Sequence, residues 1–102
     1  KDPNYAKNGY VYVFYSPTGD KEINRLSRFK FQNDTWDMAS EQIILELYSQ
    51  RNICCHTGGS IAFDKDGLLY LSTGDNSTPF DQPNSKFVNR GYSPVDNRAG
   101  ME

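Results

Sequence analysis

The chain has 102 residues and a net charge of −2, and 36% of its residues are hydrophobic, 24% charged and 14% aromatic. It has no basic stripe, so nucleic acid is not an expected partner, and no stretch approaches the roughly 18 apolar residues of a membrane span. The mean hydropathy of −0.76 is low for a core that sustains itself. Because the chain starts without Met or a signal peptide, we expect it to belong to a longer precursor.

The first half of the chain predicts three strands, because aromatic and β-branched residues favour strands. Residues 10–16 carry apolar side chains on both faces, which predicts a strand inside packed sheets. Residues 23–32 alternate in polarity and predict a half-exposed strand near a sheet edge. A loop that begins at Asn33 is expected to contain Trp36. Residues 42–48 predict the third strand, with a short helix as the alternative, since Glu, Leu and Gln favour helices.

A β-hairpin is predicted next, with strands over 59–64 and 68–73 joined by Asp64-Lys65-Asp66-Gly67. Glycine accepts the positive φ that such a tight turn requires. The two aspartates are also compatible with a calcium loop, but the other positions of an EF-hand are absent, which favours the turn. Residues 76–102 are rich in Pro, Gly, Asn and Asp and predict one long loop. We expect that loop to pack against structure outside the chain.

The predicted strands recur at a spacing of roughly 12–16 residues with no helix between them, which is typical of an all-β sandwich or of propeller blades. A blade has four strands, so the chain offers about one to one and a half blades. A single blade cannot bury both of its faces. The sequence therefore predicts an all-β fragment of a β-propeller that packs against the remaining blades of a parent chain.

A motif spans positions 56–75 and consists of a histidine, a turn of small residues, the hairpin with its aspartate turn, and a closing Gly-Asp pair. The segments that accompany it are Asp2-Pro3-Asn4, Tyr10–Tyr15, Asn24-Arg25-Leu26-Ser27-Arg28-Phe29, Gly74-Asp75-Asn76 with Pro79-Phe80, and Gly91-Tyr92-Ser93-Pro94-Val95-Asp96. Together they resemble the glucose/sorbosone dehydrogenase family over nearly the whole chain. The last two segments resemble a branch of the family whose propeller is embedded in large multidomain proteins.

The resemblance implies a six-bladed β-propeller, of which residues 1–102 form a partial domain with strands at about 10–73 and the long loop at 76–102. It implies pyrroloquinoline quinone (PQQ) near the propeller axis, together with calcium whose ligands are not in this segment. His56 matches the general base of the family, which acts on the hydroxyl of a sugar or polyol while hydride passes to PQQ. Asp75 matches the residue that orients this base, at the family spacing of 19 positions. The resemblance also implies an extracellular or periplasmic location.

The residues themselves favour the same pairing. A hairpin returns the chain to its starting end, which predicts His56 and Asp75 on one rim of the sheet. A carboxylate beside an imidazole fixes its tautomer and raises its pKa, as suits a general base near neutral pH. Gly58 and Gly59 are expected to let the backbone approach the flat cofactor. Without the resemblance, a histidine before small residues is more often a turn residue held by hydrogen bonds, and Asp75 after Gly74 simply closes a turn.

Cys54 and Cys55 are the two cysteines of the chain, and they are adjacent. A strained vicinal disulfide and two thiols, one of them buried, are equal alternatives. With the single histidine they make a poor zinc site, so no metal ligand is assigned. The Cys-Cys-His run resembles the multidomain branch and departs from the better-characterised sugar dehydrogenases. The alternative function is therefore a non-catalytic propeller that binds carbohydrate or protein, and a third is a generic propeller repeat without a small-molecule site.

Overall fold

The structure of the protein is a computed structural model that describes residues 1–49, 51 and 57–74. Its elements are α1 (Tyr5–Asn8), β1 (Tyr10–Tyr15), β2 (Ile23–Gln32), β3 (Thr35–Tyr48), β4 (Gly58–Phe63) and β5 (Leu69–Thr73). The prediction of an all-β chain is confirmed, and the four-residue α1 is the element that the sequence pattern did not indicate. Residues 42–48 lie within β3, so the helix alternative for them is wrong. The loop predicted over 76–102 lies outside the described residues.

The first sheet contains three antiparallel strands in the order β1-β2-β3. Its centre is β2, which holds two buried apolar side chains, Leu26 at 2% and Phe29 at 4% exposure. The prediction that this strand lies near a sheet edge is therefore wrong. The polar side chains of β2 do not indicate an edge strand, because long Lys and Arg side chains can lie along a sheet and keep only their charged groups in water. The Arg28 guanidinium, for example, stacks 4.0 Å from the centroid of the Tyr10 ring.

β1 lies at one side of this sheet and is half-buried along its whole length. One of its faces meets the second sheet. Tyr12 packs edge to face on Phe63 of β4 with the ring centroids 5.2 Å apart. Within the described part of the chain, β1 is thus a half-buried outer strand with one face against the second sheet. That packed sheets enclose both of its faces stays a prediction.

The turn between β2 and β3 consists of Asn33 and Asp34, which have φ angles of 53° and 57°. Two successive left-handed residues form the kind of tight turn that matches the twist of a hairpin, so the next strand begins at once. The prediction of a loop that contains Trp36 is wrong for this reason. Trp36 lies on β3 opposite Phe31, and their ring centroids are 5.8 Å apart.

A carboxylate on β3 holds the three strands of the first sheet together. The pairing of β3 with β2 is irregular at two places, and Glu41 lies in the second of them. Its Oε1 accepts hydrogen bonds from the hydroxyl of Tyr15 on β1 and, at 2.7 Å, from the hydroxyl of Ser27 on β2. These two bonds, that of Tyr15 above all, lower the pKa of the Glu41 carboxyl. Ser27 is 0% exposed, so its hydroxyl needs this partner.

The N-terminal segment is fastened to β1 by the carboxylate of Asp2. Its Oδ1 accepts hydrogen bonds from the backbone N–H of Asn4 at 2.8 Å and from Nδ2 of Asn8 at 2.9 Å. Its Oδ2 accepts a bond from the Tyr12 hydroxyl at 3.0 Å. The segment Asp2-Pro3-Asn4, which contributes to the family resemblance, therefore has a structural role in seating α1 on the sheet.

We expect the 102-residue chain, expressed by itself, to be marginally stable and to aggregate or self-associate. Among the described residues no strand pairs with the outer edge of β3, and the unpaired N–H and C=O groups of such an edge are a template for another strand. The exposed apolar side chains of β3 are Trp36, Met38, Ile43, Ile44 and Leu45.

Sedimentation velocity over a concentration series measures this association. The variant Ile44→Lys, which puts a charge on the exposed strand, should reduce it. A monomer with a sharp, cooperative and concentration-independent thermal transition would contradict the expectation.

Candidate functional site at the base of the hairpin

The second sheet is the antiparallel hairpin of β4 and β5, as predicted. Asp64 organises its turn. The Oδ1 atom accepts hydrogen bonds from the backbone N–H groups of Asp66 and Leu68, both at 2.9 Å. The Oδ2 atom accepts one from the Tyr70 hydroxyl at 3.1 Å. Gly67 has a φ of 83°, so the glycine supplies the positive φ for which the turn was predicted.

Acidification should loosen this turn. The hydrogen bond from the Leu68 backbone N–H is the largest of the contacts that lower the pKa of the Asp64 carboxyl. Because the folded pKa lies below the unfolded one, the stabilisation is present above the unfolded pKa and is lost as the pH falls through the folded pKa. We expect hydrogen exchange at the Leu68 amide, corrected for its intrinsic pH dependence, to accelerate below about pH 4.

The matched control for this measurement is Asp64→Asn, which keeps an acceptor oxygen but carries no charge. In that variant the exchange at Leu68 should no longer respond to pH between about 2 and 5. An equal pH response in the wild-type chain and the variant would show that another group is responsible.

The opposite end of the hairpin, which comprises residues 57–59 and 73–74 and is called the hairpin base here, is closed by backbone contact. Gly58 pairs with Thr73 and has a φ of 70°. A Cβ on Gly58 would lie 2.5 Å from the nitrogen of Gly74 and 2.6 Å from the carbonyl carbon of Thr73. Atoms do not approach so closely, so this position requires glycine both for its φ and for its space.

A β-bulge lies directly beside the hairpin base. Between the pairs Gly58↔Thr73 and Ile61↔Leu71, β4 advances one residue more than β5. Gly59, within the bulge, has a φ of 115°. Bulges are over-represented next to active sites, where they redirect the chain and the side chains on it. The chain that enters β4 is therefore turned at the point where the predicted site begins.

The Cβ sides of both predicted cofactor-binding glycines face protein atoms. A Cβ on Gly59 would lie 2.9 Å from Cδ1 of Phe14 on β1, and one on Gly58 would meet the backbone of residues 73–74. Neither glycine thus leaves an empty cradle on its Cβ side for a flat ring. A contact of Gly58 or Gly59 with PQQ would use backbone N–H or C=O groups, and their cofactor-binding role stays a prediction.

The hairpin base and the β1–β2 loop lie at the same end of the molecule. Phe14, near the end of β1, meets Gly59 near the start of β4, whereas Tyr12 meets Phe63 at the end of β4. The two strands therefore run in opposite directions. The loop of residues 16–22, which follows β1, projects at the end where β4 begins, and we call this the hairpin-base end.

Arg51 joins that loop to the chain that leaves β3. Its Nη1 donates hydrogen bonds to the backbone carbonyls of Pro17 at 2.8 Å, Gly19 at 3.0 Å and Lys21 at 3.1 Å. Beside these bonds is a cleft of about 410 Å³. It is lined by Gly19, Asp20, Glu22 and Arg51. Arg51 could not be assigned a role from the sequence, because its partners are main-chain carbonyls 30 to 34 residues upstream and leave no side-chain pattern.

Two of the predicted site residues, Gly58 and Gly59, lie at the hairpin base, whereas His56, Asp75 and the pair Cys54-Cys55 lie outside the described residues. In sequence, His56 precedes Gly58 by two positions and Asp75 follows Gly74 directly. Over residues 1–49, 51 and 57–74, no group of three or more His, Cys, Asp or Glu side chains is placed to hold a metal ion. The helix in this same part of the chain is too short to cross a membrane.

A protein-family model described as Glucose / Sorbosone dehydrogenase matches residues 1–92. The match covers both sheets and the positions of His56 and Asp75. It agrees with the resemblance that the motif at positions 56–75 and its accompanying segments carry.

Proposed function

Since the chain belongs to the glucose/sorbosone dehydrogenase family, we propose that its hairpin-base end forms part of the catalytic site of a propeller that oxidises a hydroxyl group of a sugar or polyol. The chain is an all-β, sugar dehydrogenase-like propeller segment, and its two antiparallel sheets pack through aromatic side chains of β1 and β4. When bound, PQQ would supply the two-electron acceptor for the hydride that leaves the substrate carbon.

The observation that carries the proposal is the closure of the hairpin base. Gly58 and Gly74 are held so close that no Cβ fits between their backbones. His56 stands two positions before the first of these glycines and Asp75 one position after the second. This supports the proposed pairing, in which His56 takes the proton of the substrate hydroxyl and the Asp75 carboxylate orients its imidazole.

The described residues define what this part of the chain can give to the cofactor. Because the Cβ sides of Gly58 and Gly59 face protein atoms, any contact of these glycines with a quinone would use backbone N–H or C=O groups. The calcium that accompanies PQQ in the family is proposed to take its ligands from residues elsewhere in the parent propeller. An extracellular or periplasmic location is part of the same proposal and follows from the family resemblance.

A PQQ titration and a dye-reduction assay test the proposal on the full-length protein, with PQQ and Ca²⁺ supplied in excess. We expect saturable PQQ binding, followed as a change in the absorbance of the quinone, and reduction of the dye that depends on a sugar or polyol. Protein that has been denatured and cleared of aggregate serves as the control for free PQQ.

The result separates the two functions that the sequence allows. Binding of PQQ with substrate-dependent dye reduction supports the dehydrogenase. If the folded protein binds no PQQ, the non-catalytic module that binds carbohydrate or protein becomes the better description, because the glycines at the hairpin base are then explained by chain packing alone.

A further inference from the structure

Arg51 makes an unusual set of contacts for an exposed side chain. One guanidinium nitrogen bonds to three backbone carbonyls, those of Pro17, Gly19 and Lys21, at 2.8 to 3.1 Å. That nitrogen has two N–H groups, so at least one hydrogen is shared between two acceptors. The three carbonyls come from alternate residues, which means that the β1–β2 loop curls around the cation.

The loop is tied to the same stretch of chain by a second contact. The backbone N–H of Ser49 donates to the carbonyl of Glu22 at 2.9 Å, and Ser49 is buried at 6% exposure. Arg51 therefore continues an attachment that begins at Ser49 and extends it across the outer part of the loop. Ser49 and Arg51, which follow β3, are thus both bonded to the β1–β2 loop at the hairpin-base end.

Arg51 lies close in sequence to the hairpin base, so its attachment to the loop restricts the short connection between them. Five residues separate it from Thr57, where the hairpin base begins, and the proposed base His56 is one of them. The far end of this stretch is fixed by the contact of Gly58 with residues 73–74. The near end is fixed by Arg51. A short connection with both ends attached samples fewer conformations than one attached at a single end.

We propose that Arg51 is a positioning residue of the proposed catalytic site: by binding three carbonyls of the β1–β2 loop, it fixes the start of the connection that carries the base. The inference rests on the proposed function for the identity of the base. The attachment itself rests on the hydrogen bonds of Arg51 alone. Arg51 is not a catalytic residue in this proposal, since it acts through the placement of the chain.

The test compares three variants of the full-length protein. Arg51→Met keeps the apolar stem and removes all donors, whereas Arg51→Lys keeps a cation with three N–H groups on a shorter stem. Arg28→Met is the matched control, because Arg28 stacks on Tyr10 and donates a hydrogen bond to Gln42, both within the first sheet. The readouts are hydrogen exchange of a peptide covering residues 16–23, the alkylation rate of Cys54 and Cys55 after reduction, and kcat, KM and the pH profile of dye reduction.

For Arg51→Met we expect hydrogen exchange in the loop peptide and alkylation of the thiols each to become about tenfold faster, because the charge-assisted hydrogen bonds that hold the loop are lost. We expect kcat to fall about tenfold with a smaller change in KM and an altered pH profile, because the base is held less firmly. Arg51→Lys should recover a large part of each change, and Arg28→Met should cause none of them.

Each outcome decides something. If loop exchange and alkylation in Arg51→Met match the wild type, the attachment proposed for Arg51 is wrong. If both change while kcat and the pH profile stay constant, Arg51 shapes the loop but does not position the base. If the wild-type protein binds no PQQ and shows no turnover, the proposed function fails, and the exchange and alkylation results still decide whether Arg51 fixes the connection.

Discussion

Replacing His56 with alanine in the full-length protein should lower turnover by about 10²- to 10⁴-fold, the usual cost of losing a general base. The reason is that the proposed base takes the proton of the substrate hydroxyl as hydride leaves for the acceptor. The measurement is kcat for sugar-dependent dye reduction at saturating PQQ and Ca²⁺. The thermal transition and PQQ affinity of the variant, measured in parallel, should stay near those of the wild type. Full activity of His56→Ala would show that another group accepts the proton.

Asp75→Asn is the companion variant and should cost less than His56→Ala. It keeps the shape and a hydrogen-bonding oxygen but removes the anion that favours the protonated imidazole. The pKa of the base should therefore fall, and the acidic limb of the kcat/KM profile should move to lower pH. If the profile of Asp75→Asn stays unchanged, the aspartate closes the turn after Gly74 without acting on the base.

Gly58→Ala should destabilise the full-length protein by about 2–4 kcal/mol, the largest stability effect we expect in the described part of the chain. The left-handed φ of 70° is unfavourable for a residue with a Cβ. The new Cβ would also lie 2.5 Å from the nitrogen of Gly74, and backbone cannot yield as a flexible side chain does. Chemical denaturation followed by tryptophan fluorescence measures the loss.

The matched control is Gly67→Ala, in the turn of the same hairpin. Gly67 has a φ of 83°, and nothing lies within 4 Å of a Cβ built on it, so this variant has the backbone strain without the collision. It should cost about 1–2 kcal/mol. The difference between the two variants isolates the close approach of the strands at the hairpin base. Equal losses would mean that the base can open to admit a methyl group.

The β4–β5 hairpin could be predicted from the sequence because its turn is encoded locally. Asp64 bonds to backbone groups two and four residues ahead, and Gly67 supplies the positive φ. The place of β2 at the centre of the first sheet could not be predicted in this way. The exposure of β2 depends on which strands flank it. Polar residues such as Arg28 give its sequence the alternation of an edge strand, although Arg28 packs on Tyr10 of the neighbouring strand.

The turn at Asn33 and Asp34 shows why the length of a turn could not be predicted from its residue types. Both residue types are common in loops, and a tight two-residue turn forms only when both adopt positive φ. The sequence therefore predicted a longer loop and placed Trp36 in it. For the same reason the predicted third strand was too short: β3 begins at Thr35, directly after the turn, and not at residue 42.

The candidate site was accessible to sequence reasoning only through its motif. The order of His56, the hairpin and Asp75 carries the family resemblance, and the paired strands explain why two positions far apart in sequence are expected on one rim. Arg51 was not accessible, because the main-chain carbonyls that it contacts exist at every position of a chain. The roles of His56 and Asp75 and the extent of the domain stay predictions.

The turn at Asn33 and Asp34 is also a suitable position for attaching the protein to a surface. It lies at the end of the ten-residue strand β2 that is remote from the hairpin-base end, about 30 Å away at the usual rise of a strand. Exposed turns of this kind tolerate insertions. A short peptide tag or a single reactive cysteine placed between these two residues would therefore attach the protein to an electrode or bead at the end of the first sheet that is opposite to the hairpin base.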